Sequence, residues 1–286
     1  MSTPQLIAVD WGTTNFRAYL ADADGDIVAQ TQHPSGILAV KNGAFANVLK
    51  AEIAPWIEAP YVRCPAGVQE IAAALTAFEV EGIGIVHLVP GLDNMPPGEP
   101  PDVIRGEEAQ TLGAMAATPE PNAIFVHPGT HSKWVTVTSG VITGFKTYMT
   151  GEVYAALKDH TILGRLMQNG APNGSGFLQG VEAARRGRPA GNLLHQLFSV
   201  RTLGLFELLP PEQLPEYLSG LLIGSEIAAA APAGETITIF GSDALTDRYG
   251  RAAEALGVEW KRGPEHSVVA GHLLIAGAAG LVERTP

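Results

Sequence analysis

Three short stretches carry residue types suited to gripping a phosphate chain. The first is Asp10-Trp11-Gly12-Thr13-Thr14, set between an apolar run at 5–9 and an alternating run at 15–21. A strand that ends on an acid and turns through Gly-Thr-Thr leaves a carboxylate beside backbone N–H groups and two hydroxyls. Amides and hydroxyls suit phosphate oxygens, and the carboxylate suits a hydrated magnesium ion. Any hairpin can carry Asp and Gly at its turn, so this stretch alone leaves a purely structural role open. The second is Pro128-Gly129-Thr130-His131, between strand-like runs at 123–127 and 132–138. The third is Ile239-Phe240-Gly241-Ser242, an apolar strand running into a Gly-Ser turn and then a helix. In isolation it is equally well an ordinary strand-to-helix connection.

The elements that position these stretches follow from residue patterning. Strands are predicted at 5–9, 15–21 and 26–32, with Asp24-Gly25 as the second turn. The arrangement returns at 123–127, 132–138 and 141–147, with Ser139-Gly140 as the turn. Two strand–turn–strand–turn–strand units imply two related α/β halves, each offering one Gly-rich turn to a shared cleft. The Pro- and Gly-rich stretch 90–101 reads as a loop. Helices are predicted at 107–117, 152–167, 193–206, 214–231, about 245–256 and 271–282, with a strand at 236–240. Alternating strands and helices give an α/β class. The expected domains are 1–118, with the first phosphate hairpin and the substrate side, and 119–286, with the other two motifs.

Composition narrows the partners. A formal net charge of -11 and a pI near 5.1 argue against a nucleic-acid surface or an anionic membrane face. The single cysteine, Cys64, excludes an internal disulfide framework and a Cys-based zinc site. There is no apolar run of about 18 residues to span a membrane. No basic stretch followed by an apolar core marks a secretory signal at the N-terminus. A cytoplasmic protein is the expectation. No Gly-x-x-x-x-Gly-Lys-Ser/Thr loop is present, and Gly82-Ile83-Gly84 lacks the third glycine of a dinucleotide fingerprint.

In order and spacing, the three stretches resemble the two phosphate motifs and the adenosine motif of the sugar kinase, Hsp70 and actin superfamily. The resemblance implies two ribonuclease-H-like (actin-like ATPase) domains facing an ATP cleft. It narrows with Asp102-Val103-Ile104-Arg105-Gly106-Glu107-Glu108-Ala109-Gln110, His127 to Val135, and Met149-Thr150-Gly151-Glu152. Leu197-Phe198-Ser199-Val200-Arg201 and the run from Leu218 to Glu226 extend it. These blocks resemble the 2-dehydro-3-deoxygalactonokinase family, from residue 6 to about 280. The resemblance implies ATP-dependent phosphorylation of the 6-hydroxyl of 2-dehydro-3-deoxy-D-galactonate in galactonate catabolism. One block departs: where family members carry Gly-Met-x-Gly-Ser, this chain has Leu49-Lys50-Ala51-Glu52-Ile53-Ala54-Pro55, with no glycine.

Roles then follow from the resemblance. Asp10 is the magnesium-positioning acid. Gly12, Thr13, Thr14, Gly129, Thr130, His131 and Lys133 are candidates for the ATP phosphates, and Gly241 and Ser242 for the adenosine side. Glu107 and Glu108 open the helix between the phosphate motifs, where related kinases place an acidic base. Acids are also favoured there by the helix dipole. Neighbouring helical residues point about 100° apart, so one of the two enters the cleft, and Glu107 is preferred. An anionic substrate calls for cations, and Arg17, Arg105 and Arg201 are the candidates. Glu152 either caps its helix or binds substrate hydroxyls. His127 stands where many relatives have Asp, and His127 and His131 do not form a helical metal pair across a Pro-Gly turn. The competing readings are an exopolyphosphatase-like phosphohydrolase, from Gly106-Glu107-Glu108-Ala109, and a non-catalytic nucleotide or sugar-acid sensor.

Overall fold

A computed structural model describes residues 6–11, 16–22, 24–33, 61–80, 84–118, 120–168, 170, 174–186 and 192–282. It has the α/β architecture expected. By its contacts the chain divides into two units: 1–122 with 135–145 and 264–286, and 123–134 with 146–263.

In the first unit, β1 (Leu6–Trp11), β2 (Phe16–Ala21) and β3 (Ile27–His33) form an antiparallel meander in the order β1-β2-β3. Register sets Asp10 opposite Arg17 across the first hairpin. The second hairpin closes through Asp22, whose buried carboxylate accepts the N–H groups of Asp24 and Asp26 at 3.1 and 3.0 Å. A second sheet has the order β4-β7-β8, from Tyr61–Arg63, Gly91–Asn94 and Asp102–Ile104. β5 (Thr76–Val80) and β6 (Gly84–Leu88) make a separate hairpin.

The stretch 90–101 is therefore not all loop. Gly91 begins a strand because no side chain fits there: a Cβ would lie 2.4 Å from the Ile104 carbonyl oxygen and 2.7 Å from the Tyr61 ring. Among the described residues this unit also holds three helices: α1 (Val68–Ala73), α2 (Glu107–Ala117) and, from residues 264–286, α8 (Ser267–Ala278). α2 and α8 meet backbone to backbone at two glycines. A Cβ on Gly113 would sit 1.8 Å from the Ser267 carbonyl oxygen, and one on Gly271 equally close to that of Ala109. This packing places 264–286 with the first unit. Val269 and Leu273 of α8 also pack with Ala21, Tyr19 and Ile27 of the meander.

The second unit is built around α6 (Leu214–Ala230), a helix buried on most of its circumference. It crosses α4 (Ser175–Arg186) where Gly180 and Gly220 allow close approach. β9 (Ala123–His127), β12 (Ile237–Ile239) and β13 (Trp260–Arg262) run parallel. With β10 (Ser132–Thr138) and β11 (Val141–Tyr148), the sheet order is β11-β10-β9-β12-β13. Phe177, Val181, Ile223 and Ile227 of the helices pack with Val126, Ile237, Ile239 and Tyr249 in one core.

Five helices differ from the predicted spans. α8 covers Ser267–Ala278, four residues earlier at each end than the expected 271–282, and α6 ends at Ala230, one residue short. The helix expected over 152–167 is α3 (Thr150–His160) followed by a separate 3₁₀ turn at Ile162–Leu166. Thr161 breaks it, donating to the Leu157 carbonyl at 2.6 Å and accepting from Leu163 N–H at 3.1 Å. α5 spans Leu193–Leu205, one residue short of expectation. α7 spans Asp243–Ala255, starting directly at the Gly241-Ser242 turn rather than two residues later. Among the described residues no helix is long and apolar enough to cross a membrane.

Candidate functional site

Each unit holds part of the predicted site. In the second unit, β9 and β12 are neighbouring parallel strands, and both Gly-rich turns leave from their C-terminal ends. That is where ligands bind in open parallel sheets. Phe240 continues the alignment, its N–H donating to the Val126 carbonyl at 2.8 Å. Gly241 then takes φ +132°, a conformation L side chains rarely adopt. Ser242 follows as the N-cap of α7, with its carbonyl accepting from Leu245 and Thr246.

The 128–131 turn rests directly on the start of α3. Glu152 N–H donates to the Thr130 carbonyl at 3.0 Å. A Cβ on Gly151 would lie 2.4 Å from the Gly129 carbonyl oxygen and 2.8 Å from Thr130 Cα. Gly129, Thr130, His131 and Glu152 are thus brought together. His131 Nε2 lies 2.5 Å from Glu152 Oε2, with both side chains roughly half exposed. Glu152 therefore neither caps its helix through its side chain nor stands alone: it is paired with His131. Lys133 Nζ donates to Thr147 Oγ1 at 2.9 Å.

His127 is buried and stacked on Phe240, with ring centroids 4.8 Å apart and planes 9° from parallel. Burial pulls its pKa down to about 3, so the ring is neutral at physiological pH. His127 is thus enclosed against Phe240, whereas His131 is half exposed beside Glu152. Arg201 lies on α5, partly buried, with Nη1 shielded from solvent and without a hydrogen-bond partner. It is not joined to the 128–131 turn by any hydrogen bond or ion pair the structure gives it.

In the first unit, Arg105, Glu107 and Glu108 converge on Gly106, which has φ +102°. Arg105 N–H donates to Glu107 Oε2 at 3.1 Å, and Gly106 N–H to Glu108 Oε2 at 2.7 Å. The two acids differ sharply in burial. Glu108 is 1 % exposed, and burial, reinforced by the neighbouring Glu107 charge, raises its pKa to about 8. Glu107 keeps partial contact with solvent. The Arg105 guanidinium lies 4.7 Å from the Tyr61 ring centroid. Arg17 sits on β2 opposite Asp10. Gly12, Thr13 and Thr14 lie outside the described residues, as does the side chain of Asp10.

One residue at the heart of the second unit was not singled out from the sequence. Glu226, 3 % exposed on α6, accepts hydrogen bonds from Ser132 Oγ at 2.6 Å, Trp134 Nε1 at 2.7 Å, Tyr249 OH at 2.7 Å and Thr150 Oγ1. The available signal was a lone acid in an otherwise apolar and small-residue helix, Leu221 to Ala230.

The profile of the 2-keto-3-deoxy-galactonokinase family matches residues 10–59 and 53–275. The chain belongs to this family. The 2-dehydro-3-deoxygalactonokinase of Escherichia coli (strain K12) is 34% identical, the match covering 90% of this chain and 92% of that protein. The Rhizobium meliloti (strain 1021) protein named Probable 2-dehydro-3-deoxygalactonokinase DgoK1 is 33% identical over 88% of this chain and 89% of its own length. The crystal structure of a Sinorhizobium meliloti protein, assigned provisionally as a 2-dehydro-3-deoxygalactonokinase, superposes with a TM-score of 0.82. It is 30% identical and covers 98% of this chain and 97% of its own. In this galactonokinase-family chain the profile is met in two stretches that overlap at 53–59. The alignment restarts beside Leu49–Pro55, where the Gly-Met-x-Gly-Ser block is replaced; these positions lie outside the described residues.

Proposed function

We propose that this chain is an ATP-dependent kinase that phosphorylates the 6-hydroxyl of 2-dehydro-3-deoxy-D-galactonate, giving 2-dehydro-3-deoxy-6-phosphogalactonate in galactonate catabolism. The observation that carries this reading is membership of the family over residues 10–275. The geometry supports it through two Gly-rich turns at the ends of adjacent parallel strands, where backbone N–H groups can meet phosphate oxygens.

In this reading the residues that bind ATP come from two ribonuclease-H-like domains. One contributes Asp10, Gly12, Thr13 and Thr14. The other contributes Gly129, Thr130, His131 and Lys133 to the phosphates and Gly241-Ser242 to the adenosine side. Arg17, Arg105 and Arg201 offer guanidinium groups to the substrate carboxylate, and Glu152, steered by His131, meets substrate hydroxyls. Either Glu107 or Glu108 takes the proton from the 6-hydroxyl as its oxygen bonds to the γ-phosphorus and the bond to ADP breaks. Glu108, held protonated near neutrality by burial, is the poorer base of the two at pH 7. We therefore assign the base to Glu107.

Magnesium accompanies ATP in such transfers and needs only one or two protein carboxylates, the other ligands being phosphate and water. Among the described residues no cluster of three His, Cys, Asp or Glu side chains could hold a metal. The second hairpin offers a neutral, stacked His127 where a second acid would stand. In this reading Asp10 would hold the ion, which would screen charge on the transferred phosphoryl group. The proposed setting is the cytoplasm.

The test is ADP release from magnesium-ATP over a panel of sugar acids. Turnover that depends on 2-dehydro-3-deoxygalactonate, lost in Asp10→Ala, is the expected result. Phosphate release from polyphosphate without a sugar acid would instead support the hydrolase alternative. Nucleotide binding with no turnover on any acid would support a sensor.

A further inference from the structure

We propose that Glu226 is a positioning residue for the 128–131 turn, its one buried carboxylate binding donors from the strand that leaves the turn and from the helix end that supports it. The assignment rests on the kinase reading of that turn. Ser132 follows His131 directly, and Trp134 lies two residues on, so strand alternation aims both side chains to one face. Both donate to Glu226 Oε1. Thr150 precedes Gly151, the residue against which the Gly129 carbonyl packs, and donates to Oε2 beside Tyr249 OH from α7. One carboxylate thereby ties β10, α3 and α7 to α6.

All four partners are neutral. A buried carboxylate satisfied only by neutral donors is a costly way to gain stability, since apolar packing of similar volume does as well or better. What the carboxylate adds is direction. Four donors aimed at two oxygens fix Ser132 and Thr150, and so both sides of the turn between and beneath which Gly129, Thr130 and His131 lie. An indole N–H can only donate, so the oxygen facing Trp134 must remain an acceptor. Hydroxyls can reverse, so the oxygen facing Thr150 and Tyr249 can be replaced by an amide NH₂.

That asymmetry gives the experiment its variants. Glu226→Gln keeps a carbonyl for Ser132 and Trp134 and lets both hydroxyls accept; its KM for ATP is expected within about threefold of the parent. Glu226→Leu, of similar volume, loses all four bonds; its KM for ATP is expected to rise about tenfold or more, with kcat less affected. Hydrogen exchange in Glu226→Leu is expected to quicken over 128–133 and 149–153 while α5 keeps its protection. Parental KM and parental exchange in those two segments would overturn the proposal. If Glu226→Leu does not fold, Thr150→Val and Tyr249→Phe carry the test, each expected to raise KM for ATP and local exchange, and overturning the proposal if both stay parental. The exchange readout does not depend on catalysis. A parent lacking sugar-acid-dependent ADP release would sink the kinase reading, while the exchange pattern would still decide whether Glu226 holds the turn.

Discussion

His127 and Phe240 stack face to face, 4.8 Å between centroids, and so join the ends of the two parallel strands that carry the Gly129-Thr130 and Gly241-Ser242 turns. The contact gives the buried, neutral imidazole a flat packing partner on the neighbouring strand end.

This has a pH consequence. The folded pKa of His127 is about 3, below the ordinary imidazole value of 6.5, so the unfolded chain binds the extra proton between those limits. The stability it contributes is present above pH 6.5 and is lost as pH falls toward 3, by up to about 1.4 kcal/mol per pH unit. Chemical denaturation at pH 7 and pH 5 is expected to show that loss in the parent and a shallower slope in His127→Asn. Equal slopes would place the proton elsewhere.

Glu108 shifts the opposite way. Its pKa of about 8 exceeds the ordinary value of 4.5, so its favourable contribution is complete below pH 4.5 and disappears as pH rises through 8. Glu108→Gln keeps an acceptor for Gly106 N–H and removes the buried charge. It is expected to unfold at the same or higher denaturant concentration at pH 8, with retained turnover. Glu107→Gln is expected to lower kcat by about 10²-fold or more, as loss of a general base does. If Glu108→Gln alone abolishes turnover without destabilising the chain, the two roles are exchanged.

Gly151 offers a steric test. A methyl there meets Gly129 and Thr130 backbone atoms that cannot rotate aside, so the turn itself must move. Gly151→Ala is expected to raise KM for ATP on the order of tenfold or more, because displacements near 1 Å cost that much. Direct nucleotide titration checks it; parental affinity would mean the turn does not touch ATP.

Local chemistry made much of the five-stranded sheet readable. The strands at 123–147 alternate β-branched and polar residues, and Ser139-Gly140, with φ 53° and 79°, is the turn chemistry their twist needs. The strand at Gly91–Asn94 was not readable, because its glycine answers to a ring and a carbonyl from distant segments. Helix α4 escaped for a related reason: it packs through glycines that look like breakers in sequence. Glu226 was hidden by distance, since Ser132, Trp134 and Thr150 are 94, 92 and 76 residues away. In the candidate site, the strand-end turns at 128–131 and 241–242 and the adjacent acids follow from residue types, but the burial that separates Glu107 from Glu108 is a property of packing.

The most direct test of the central claim follows the phosphoryl group itself. Purified protein, magnesium-ATP and 2-dehydro-3-deoxy-D-galactonate are expected to give ADP and one new phosphomonoester, with phosphorus–carbon coupling by NMR placing it on C6, and Asp10→Ala is expected to give neither. A parent protein that consumes no ATP with this acid, or that phosphorylates another position, would contradict the account.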